Sequence, residues 1–176
     1  MKKSFVHIYT GDGKGKTTAA IGLAMRALGA DYKVYIGQFI KDMEYAEIRL
    51  LKKLALDIDI DLYGMGEGCI WPRSLNENDK INAQSGLDKA INTIKSGQFN
   101  LVILDEIFIA LQYEIITEKQ ILSLMADARN NNTELVLTGR YASENIMNNA
   151  DLVTNMQCIK HYYKDSGVMP RDGIER

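Results

Sequence analysis

Residues 10–18 read TGDGKGKTT, and this segment decides the fold. The stretch before it, Ser4–Thr10, predicts a β-strand, and the stretch after it, Lys16–Gly29, repeats alanine and leucine at helical spacing. A strand, a glycine-rich turn and a helix in this order predict a P-loop, whose backbone N–H groups hold polyphosphate oxygens at a helix N-terminus. The alternative is a glycine-rich turn that binds no ligand, and the GKTT ending argues against it.

The chemistry of this loop is expected from the two residues that follow its last glycine. Lys16 would reach phosphate oxygens, and the Thr17 hydroxyl would ligate the magnesium that accompanies a nucleotide. The spacing departs from G-x-x-x-x-G-K-[ST], because three residues rather than four separate Gly11 from Gly15. Either Thr10 takes the place of the first glycine or the loop is one residue tighter.

A second motif, LVILDE at residues 101–106, predicts a buried strand that ends in two acids. The carboxyl ends of parallel strands meet at one edge of a sheet, where the P-loop also lies. One of Asp105 and Glu106 would hold magnesium or its water, and the other would orient water or substrate. Two solvated acids after a strand are the alternative, which the neighbouring P-loop disfavours.

The rest of the chain alternates strand-like and helix-like segments, which is typical of a parallel sheet covered by helices. We predict an α/β, P-loop NTPase-like fold with a mostly parallel sheet flanked by helices on both faces, in one domain over residues 1–176. The further predicted strands are Lys33–Ile40, Ile58–Tyr63, Leu101–Asp105, Glu134–Thr138 and Leu152–Cys158. The further predicted helices are Met43–Ala55, Asp79–Ser96, Glu118–Arg129 and Ser143–Asn149, and the predicted loops are Gly64–Asn78 and Tyr162–Arg176.

Composition narrows the class of protein. Lys and Arg number 21 against 23 Asp and Glu, a net charge of −2 that argues against a nucleic-acid partner. No apolar run approaches the roughly 20 residues that cross a membrane, and the first residues show no signal peptide. The two cysteines form no CxxC pair, which argues against a zinc site or a disulfide framework. We therefore expect a cytoplasmic protein with neither a nucleic-acid nor a membrane partner.

Several segments resemble one family, the P-loop-type ATP:cob(I)alamin adenosyltransferases, also called corrinoid adenosyltransferases. The first is YTGDGKGKTTAA at residues 9–20, which has that family's tight loop. The others follow in order along the chain: QFIK at 38–41, EIRLL at 47–51, VILDE at 102–106, LTGR at 137–140, ADLVT at 150–154, KH at 160–161 and GIE at 173–175. The resemblance therefore spans nearly the whole sequence.

The resemblance implies that Co(I) of a reduced corrinoid attacks the 5′ carbon of ATP and that triphosphate leaves. Co(I) needs no general base, so catalysis would rest on positioning and on charge stabilisation, with Lys16 and Glu106 as the catalytic residues. Magnesium would be held by Thr17, Asp105 and Glu106. The residues expected to bind ATP or the corrinoid are Gly11, Asp12, Gly13, Lys14, Gly15, Lys16, Thr17, Thr18, Gln38, Lys41, Glu47, Arg49, Arg140 and Trp71.

The corrinoid side of the site is expected to be apolar, because the reduced cobalt must be kept from water. Trp71 is the first candidate, followed by Phe39, Met65 and Ile70, with core packing as the alternative for each. For Arg49, paired with Glu47, a helix-surface ion pair is the alternative. The resemblance also implies a homodimer, a flavoprotein reductant as a partner, and a tail at residues 162–176 that forms part of a substrate lid.

Other activities stay open at this point. A P-loop nucleoside or nucleotide kinase would also pair the loop with two acids, although the thymidine-kinase type needs four zinc-binding cysteines that this chain lacks. A nucleotide-switch ATPase acting through a protein partner could use Arg140 as a finger across an interface. A family relative that binds ATP without transferring its adenosyl group is a third candidate, since Met169-Pro170 departs from the family's tail.

Overall fold

The computed structural model describes residues 3–40, 43–54, 56–64 and 77–175. Within these ranges the strands are β1 (Val6–Thr10), β2 (Val34–Phe39), β3 (Ile58–Tyr63), β4 (Leu101–Asp105), β5 (Glu134–Thr138) and β6 (Leu152–Asn155). The helices are α1 (Lys16–Leu28), α2 (Ala46–Lys53), α3 (Glu77–Lys95), α4 (Ile107–Gln112), α5 (Glu118–Asn130), α6 (Glu144–Asn148) and α7 (Tyr162–Ser166). No helix in these ranges has the length and apolar character that a membrane span requires.

The strands form one sheet in the order β3-β2-β4-β5-β1-β6, and every pairing between neighbours is parallel. Each strand is joined to the next by a helical crossover, as parallel pairing requires. This arrangement confirms the predicted α/β class, with a sheet that is parallel throughout rather than mostly so. The order also places β1, which leads into the P-loop, two strands from β4, which carries the acids.

The side chains of β4 show how the two layers of helices are held. Val102 and Leu104 belong to an apolar cluster with α3, α4, α5 and α6, whereas Leu101 and Ile103 belong to a cluster with α1 and α2. All five residues of β4 are buried, as expected of a central strand that is covered on both faces. The prediction of helices on both faces is confirmed.

Two short helices fall where the sequence predicts none. The strand β4 ends at Asp105 as predicted, but the apolar IFIALQ of α4 follows the two acids so closely that the sequence did not predict a separate helix there. Glu106 ends the strand by adopting a left-handed conformation, with φ of 60°. The tail, predicted as a loop, contains α7, whose first turn is capped by the His161 side chain accepting from the Tyr163 N–H.

The last strand ends earlier than predicted, at Asn155 rather than Cys158. The Met156 N–H still donates to the Thr10 carbonyl at 2.8 Å, as in the β1–β6 ladder. The Met156 carbonyl, however, accepts from the Gly13 N–H at 2.6 Å. The chain therefore leaves the sheet at this point in order to cross the P-loop.

We expect Gly86→Ala to lower the free energy of unfolding by about 1–3 kcal/mol, because it overpacks the contact between α3 and β3. A Cβ at Gly86 would lie 2.5 Å from the ring of Tyr63. Denaturant titration measures the change, with Ser85→Ala at the exposed neighbouring position as the control. If Gly86→Ala proved as stable as this control, the Tyr63 ring would have to move aside freely.

Candidate functional site

A cleft of about 970 Å³ opens at the carboxyl edge of the sheet. Its walls are formed by the segments that follow β1, β2, β4 and β5, together with α2, α4 and the last residues of the chain. Ligands of open α/β sheets bind at this edge. The cleft is lined by ten of the residues that the sequence predicts to bind or act: Asp12, Gly13, Lys14, Gly15, Lys16, Thr17, Thr18, Glu47, Glu106 and Arg140.

The P-loop consists of the five residues Gly11–Gly15, between the end of β1 and the start of α1. Gly11 has φ of 98° and Gly15 has φ of 122°, a region that other residues rarely adopt. Gly13 is required for a different reason, because a Cβ there would lie 2.6 Å from the Met156 carbonyl oxygen. The loop is thus shaped both by its own backbone and by the segment that follows β6.

Lys16 lies on the inner side of this loop and is 7% exposed. Its ammonium donates to the carbonyls of Gly11 at 2.6 Å and Gly13 at 2.7 Å. Burial lowers the pKa of Lys16, and the negative charge of Glu106 opposes this effect. A buried ammonium at the start of a helix is a site for an anion of high charge.

Asp105 is buried at the end of β4 and is held by three side chains. The Thr17 hydroxyl donates to it at 2.9 Å, the Thr138 hydroxyl at 2.6 Å and the Gln38 amide at 3.0 Å. The hydroxyl after the P-loop lysine and the strand-end carboxylate therefore meet, as the two motifs predict. This geometry fixes the carboxylate beside the loop.

Gln38 is placed beneath the cleft rather than in its wall. The sequence resemblance implies that Gln38 binds a substrate, but its side chain is fully buried and donates to Asp105. Its Oε1 has no hydrogen-bond partner among the described residues. The Gln38 amide therefore holds the Asp105 carboxylate, and substrate binding by Gln38 stays a prediction.

Thr138 is a site residue whose role the sequence does not predict. Its hydroxyl donates to Asp105 and accepts from the backbone N–H of Glu106 at 2.9 Å. One threonine at the end of β5 therefore holds the Asp105 carboxylate at the end of β4 and the backbone of Glu106 after it. The signal was present in the TGR at residues 138–140, but only the strand order β4-β5 reveals which residues that threonine reaches.

Two of the predicted binding residues are engaged with the end of the chain. The Lys14 ammonium contacts Glu175 at 3.0 Å, and the Arg49 guanidinium contacts Asp172 at 3.1 Å. For Arg49 the structure shows an ion pair on the protein surface, with Asp172 rather than Glu47 as its partner. Arg140 does reach the loop, with its guanidinium 3.8 Å from the Asp12 carboxylate.

Comparison with known proteins identifies the family to which this site belongs. The family model described as ATP:corrinoid adenosyltransferase BtuR/CobO/CobP matches residues 2–176. The chain belongs to this family. It is 35% identical to a corrinoid adenosyltransferase of a Sinorhizobium species, over 99% of this chain and 81% of that relative. Corrinoid adenosyltransferases of Pseudomonas aeruginosa and Escherichia coli K12 are 32% and 29% identical, over 96% and 99% of the chain and 81% and 86% of those relatives.

The cleft of this adenosyltransferase-family chain is also lined by apolar and aromatic side chains that the sequence analysis did not name. Its lining includes Ile40, Tyr45, Ile109, Tyr113 and Tyr141, which come from three different segments. Ile109 and Tyr113 lie on and just after α4, a helix that the sequence does not predict. A wall of this kind suits the flat, apolar parts of a ligand.

Of the apolar residues expected to contact the corrinoid, the structure describes only Phe39. Phe39 is fully buried, with its ring centroid 5.3 Å from that of Tyr63, so it packs in the core. Trp71, Met65 and Ile70 lie outside the described residues, as does Lys41. Their roles stay predictions.

Proposed function

We propose that this chain transfers the 5′-deoxyadenosyl group of ATP to the Co(I) of a reduced corrinoid and releases triphosphate. The observation that carries the proposal is the match to the adenosyltransferase family over residues 2–176. The cleft supports it, because one edge of the sheet holds the P-loop, the strand-end acids and an apolar wall. The step balances, since Co(I) supplies the electron pair of the new cobalt–carbon bond and triphosphate leaves with the pair of the broken C5′–O bond.

Lys16 and the N-terminus of α1 would stabilise the leaving triphosphate. The Lys16 ammonium already meets two carbonyl oxygens of the loop, and phosphate oxygens are stronger acceptors of the same kind. Their negative charge would also offset the lowered pKa that burial gives Lys16. Glu106 lines the same cleft and would orient the substrate, and Arg140 would add positive charge beside Asp12.

The side chains beside the P-loop are of the kind that bind magnesium. Mg²⁺ is usually held by one or two carboxylates, by substrate phosphates and by water rather than by a full set of protein ligands. In the described part of the chain, His, Cys, Asp and Glu side chains form no metal-binding group of three or more. The Thr17 hydroxyl and the Asp105 carboxylate, 2.9 Å apart, supply oxygen donors beside the loop, and Glu106 adds a carboxylate in the cleft. The bound ion would neutralise charge on the triphosphate.

We expect Thr17→Ala to weaken magnesium-dependent ATP binding by about 10- to 100-fold, because the variant loses the hydroxyl that faces Asp105. Thr17→Ser keeps that hydroxyl and is the matched control, expected to stay within about threefold of the wild type. Calorimetric titration with ATP across a magnesium series measures the effect. Equal affinities of the alanine and serine variants at every magnesium concentration would contradict a metal role for Thr17.

The proposed transferase and the kinase or ATPase alternatives release different products. A transferase yields triphosphate only when reduced corrinoid is present, whereas an ATPase yields inorganic phosphate steadily without it. Anion-exchange separation of the phosphate products, with and without cob(I)alamin, distinguishes the two. Phosphate release that is independent of corrinoid would overturn the transferase proposal.

The remaining partners follow from the chemistry of the substrate. Co(I) is formed by reduction, so a donor of low-potential electrons must act before this chain, and a flavoprotein is the predicted donor. The use of ATP favours a cytoplasmic location. The homodimer stays a prediction.

A further inference from the structure

A cluster of four side chains joins the P-loop to the end of the chain: Lys14, Tyr162, Arg171 and Glu175. The Lys14 ammonium donates to the Tyr162 hydroxyl at 3.3 Å, to the Ile174 carbonyl at 2.9 Å and to Glu175 Oε1 at 3.0 Å. An ammonium carries three N–H groups, so its three donors are matched by three acceptors, all of them in the tail. We call this cluster the tail clamp.

Glu175 is the centre of the tail clamp. Its carboxylate accepts from the Arg171 backbone N–H at 2.8 Å, from the Arg171 guanidinium at 3.1 and 3.2 Å, and from the Tyr162 hydroxyl. Its side chain is only 14% exposed although it is the next-to-last residue. The Arg171 guanidinium holds the pKa of the Glu175 carboxyl far below its usual range, so the clamp is charged at neutral pH.

The tail clamp holds residues that line the cleft, because Gly173, Ile174 and Glu175 are all part of the cleft wall. A second attachment, the ion pair of Arg49 with Asp172, ties residues 171–175 to α2. The tail is thereby fastened to two sides of the cleft.

We propose that the tail clamp fixes residues 171–175 as a wall of the substrate cleft, and that Lys14 is a positioning residue rather than a phosphate ligand. The two lysines of the GKGK segment at residues 13–16 differ in placement: Lys16 is buried on the inner side of the loop, whereas the Lys14 side chain is 44% exposed and turned to the tail. Taking a phosphate oxygen would require Lys14 to give up an acceptor that it already has. The effect on adenosyl transfer rests on the proposed function, but the clamp itself does not.

Binding of inorganic triphosphate with magnesium separates the two roles, because this probe reports phosphate contacts alone. A direct charge-assisted hydrogen bond corresponds to about 10- to 150-fold in affinity, so we expect Lys16→Ala to lose at least about tenfold. Lys14→Ala and Glu175→Ala are expected to stay within about threefold at 0.15 M salt, where distant charges are screened. Loss of triphosphate affinity in Lys14→Ala equal to that in Lys16→Ala would overturn the proposal.

Limited trypsin digestion tests the clamp without any substrate. Cleavage after Arg171, followed by mass spectrometry as the loss of residues 172–176, is expected to be faster in Lys14→Ala and in Glu175→Ala than in the wild type. In the transfer assay each single variant is expected to lose about tenfold in kcat/KM. The double variant Lys14→Ala/Glu175→Ala is expected to lose no more than either single variant, because each substitution already removes the ion pair between Lys14 and Glu175. A cleavage rate that is unchanged in the variants would contradict the clamp. So would a loss of kcat/KM in the double variant equal to the product of the losses in the two single variants. A wild type inactive in transfer would refute the proposed function alone, since digestion and triphosphate binding still decide the clamp.

Discussion

Replacing Lys16 with alanine is expected to lower kcat/KM for adenosyl transfer by about 10²–10³-fold, the loss typical of removing one donor that stabilises a developing anion. Lys16 is buried, and its ammonium donates to the carbonyls of Gly11 at 2.6 Å and Gly13 at 2.7 Å, beside the loop that is expected to hold the triphosphate. Because triphosphate leaves with the electron pair of the C5′–O bond, negative charge grows there during the reaction. The Lys16 ammonium therefore stabilises the transition state more strongly than the bound substrate.

The assay is a steady-state measurement of alkylcobalamin formation under anaerobic conditions. Lys80→Ala is the matched control, because Lys80 is exposed on α3 and pairs with Glu77. It is expected to retain wild-type activity, and circular dichroism would show that both variants fold. A Lys16→Ala enzyme with more than about a third of wild-type kcat/KM would mean that this lysine does not act on the triphosphate.

Gly13→Ala is expected to lose about 10²-fold in activity, the penalty that a displacement of about 1 Å at a catalytic loop can cause. A Cβ at Gly13 would lie 2.6 Å from the Met156 carbonyl oxygen and 2.7 Å from that of Gln157. Both atoms belong to the backbone, so neither can rotate away. The loop must therefore shift, which breaks the hydrogen bond that the Gly13 N–H donates to the Met156 carbonyl at 2.6 Å. We expect a parallel decrease of about 1–3 kcal/mol in the free energy of unfolding.

Gly22→Ala provides the matched control for this substitution. Gly22 lies on the exposed side of α1, and a Cβ there would meet nothing within 4 Å. Because alanine is the better helix former, Gly22→Ala is expected to raise the free energy of unfolding by up to about 1 kcal/mol and to leave activity unchanged. Thermal denaturation and the transfer assay measure both effects. Wild-type activity in Gly13→Ala would show that the post-β6 segment does not constrain the loop.

The sequence predicts the parts of the site that are encoded locally. The P-loop and the two acids after β4 are contiguous motifs whose flanking periodicity places them on a strand end or a helix start. Parallel topology then brings Thr17 and Asp105 to one edge of the sheet without further information. This is why that contact, at 2.9 Å, could be expected from sequence patterns alone.

The parts that were missed depend on contacts between distant segments. Thr138 holds the Asp105 carboxylate and the backbone of Glu106 only because β5 lies beside β4. Lys14 is expected from the resemblance to bind ATP or the corrinoid, and no sequence pattern indicated that its three acceptors would belong to residues 162–175. Composition alone predicted a loop for that tail, because the tail is held by the hydrogen bonds between Arg171 and Glu175 and shows no helical or strand periodicity. Substrate binding by Gln38, which rests on the resemblance to the family, stays a prediction, and nothing in the sequence indicated that its buried amide donates to Asp105.

The central claim is tested most directly by one anaerobic experiment. The wild-type chain is mixed with chemically reduced cob(I)alamin and Mg-ATP, and the loss of Co(I) absorbance is followed together with the formation of a light-sensitive alkylcobalamin. We expect one triphosphate for each cobalt–carbon bond, and we expect both products to form at least about 10²-fold more slowly with Lys16→Ala. Persistence of Co(I) in the presence of bound ATP would contradict adenosyl transfer by this chain.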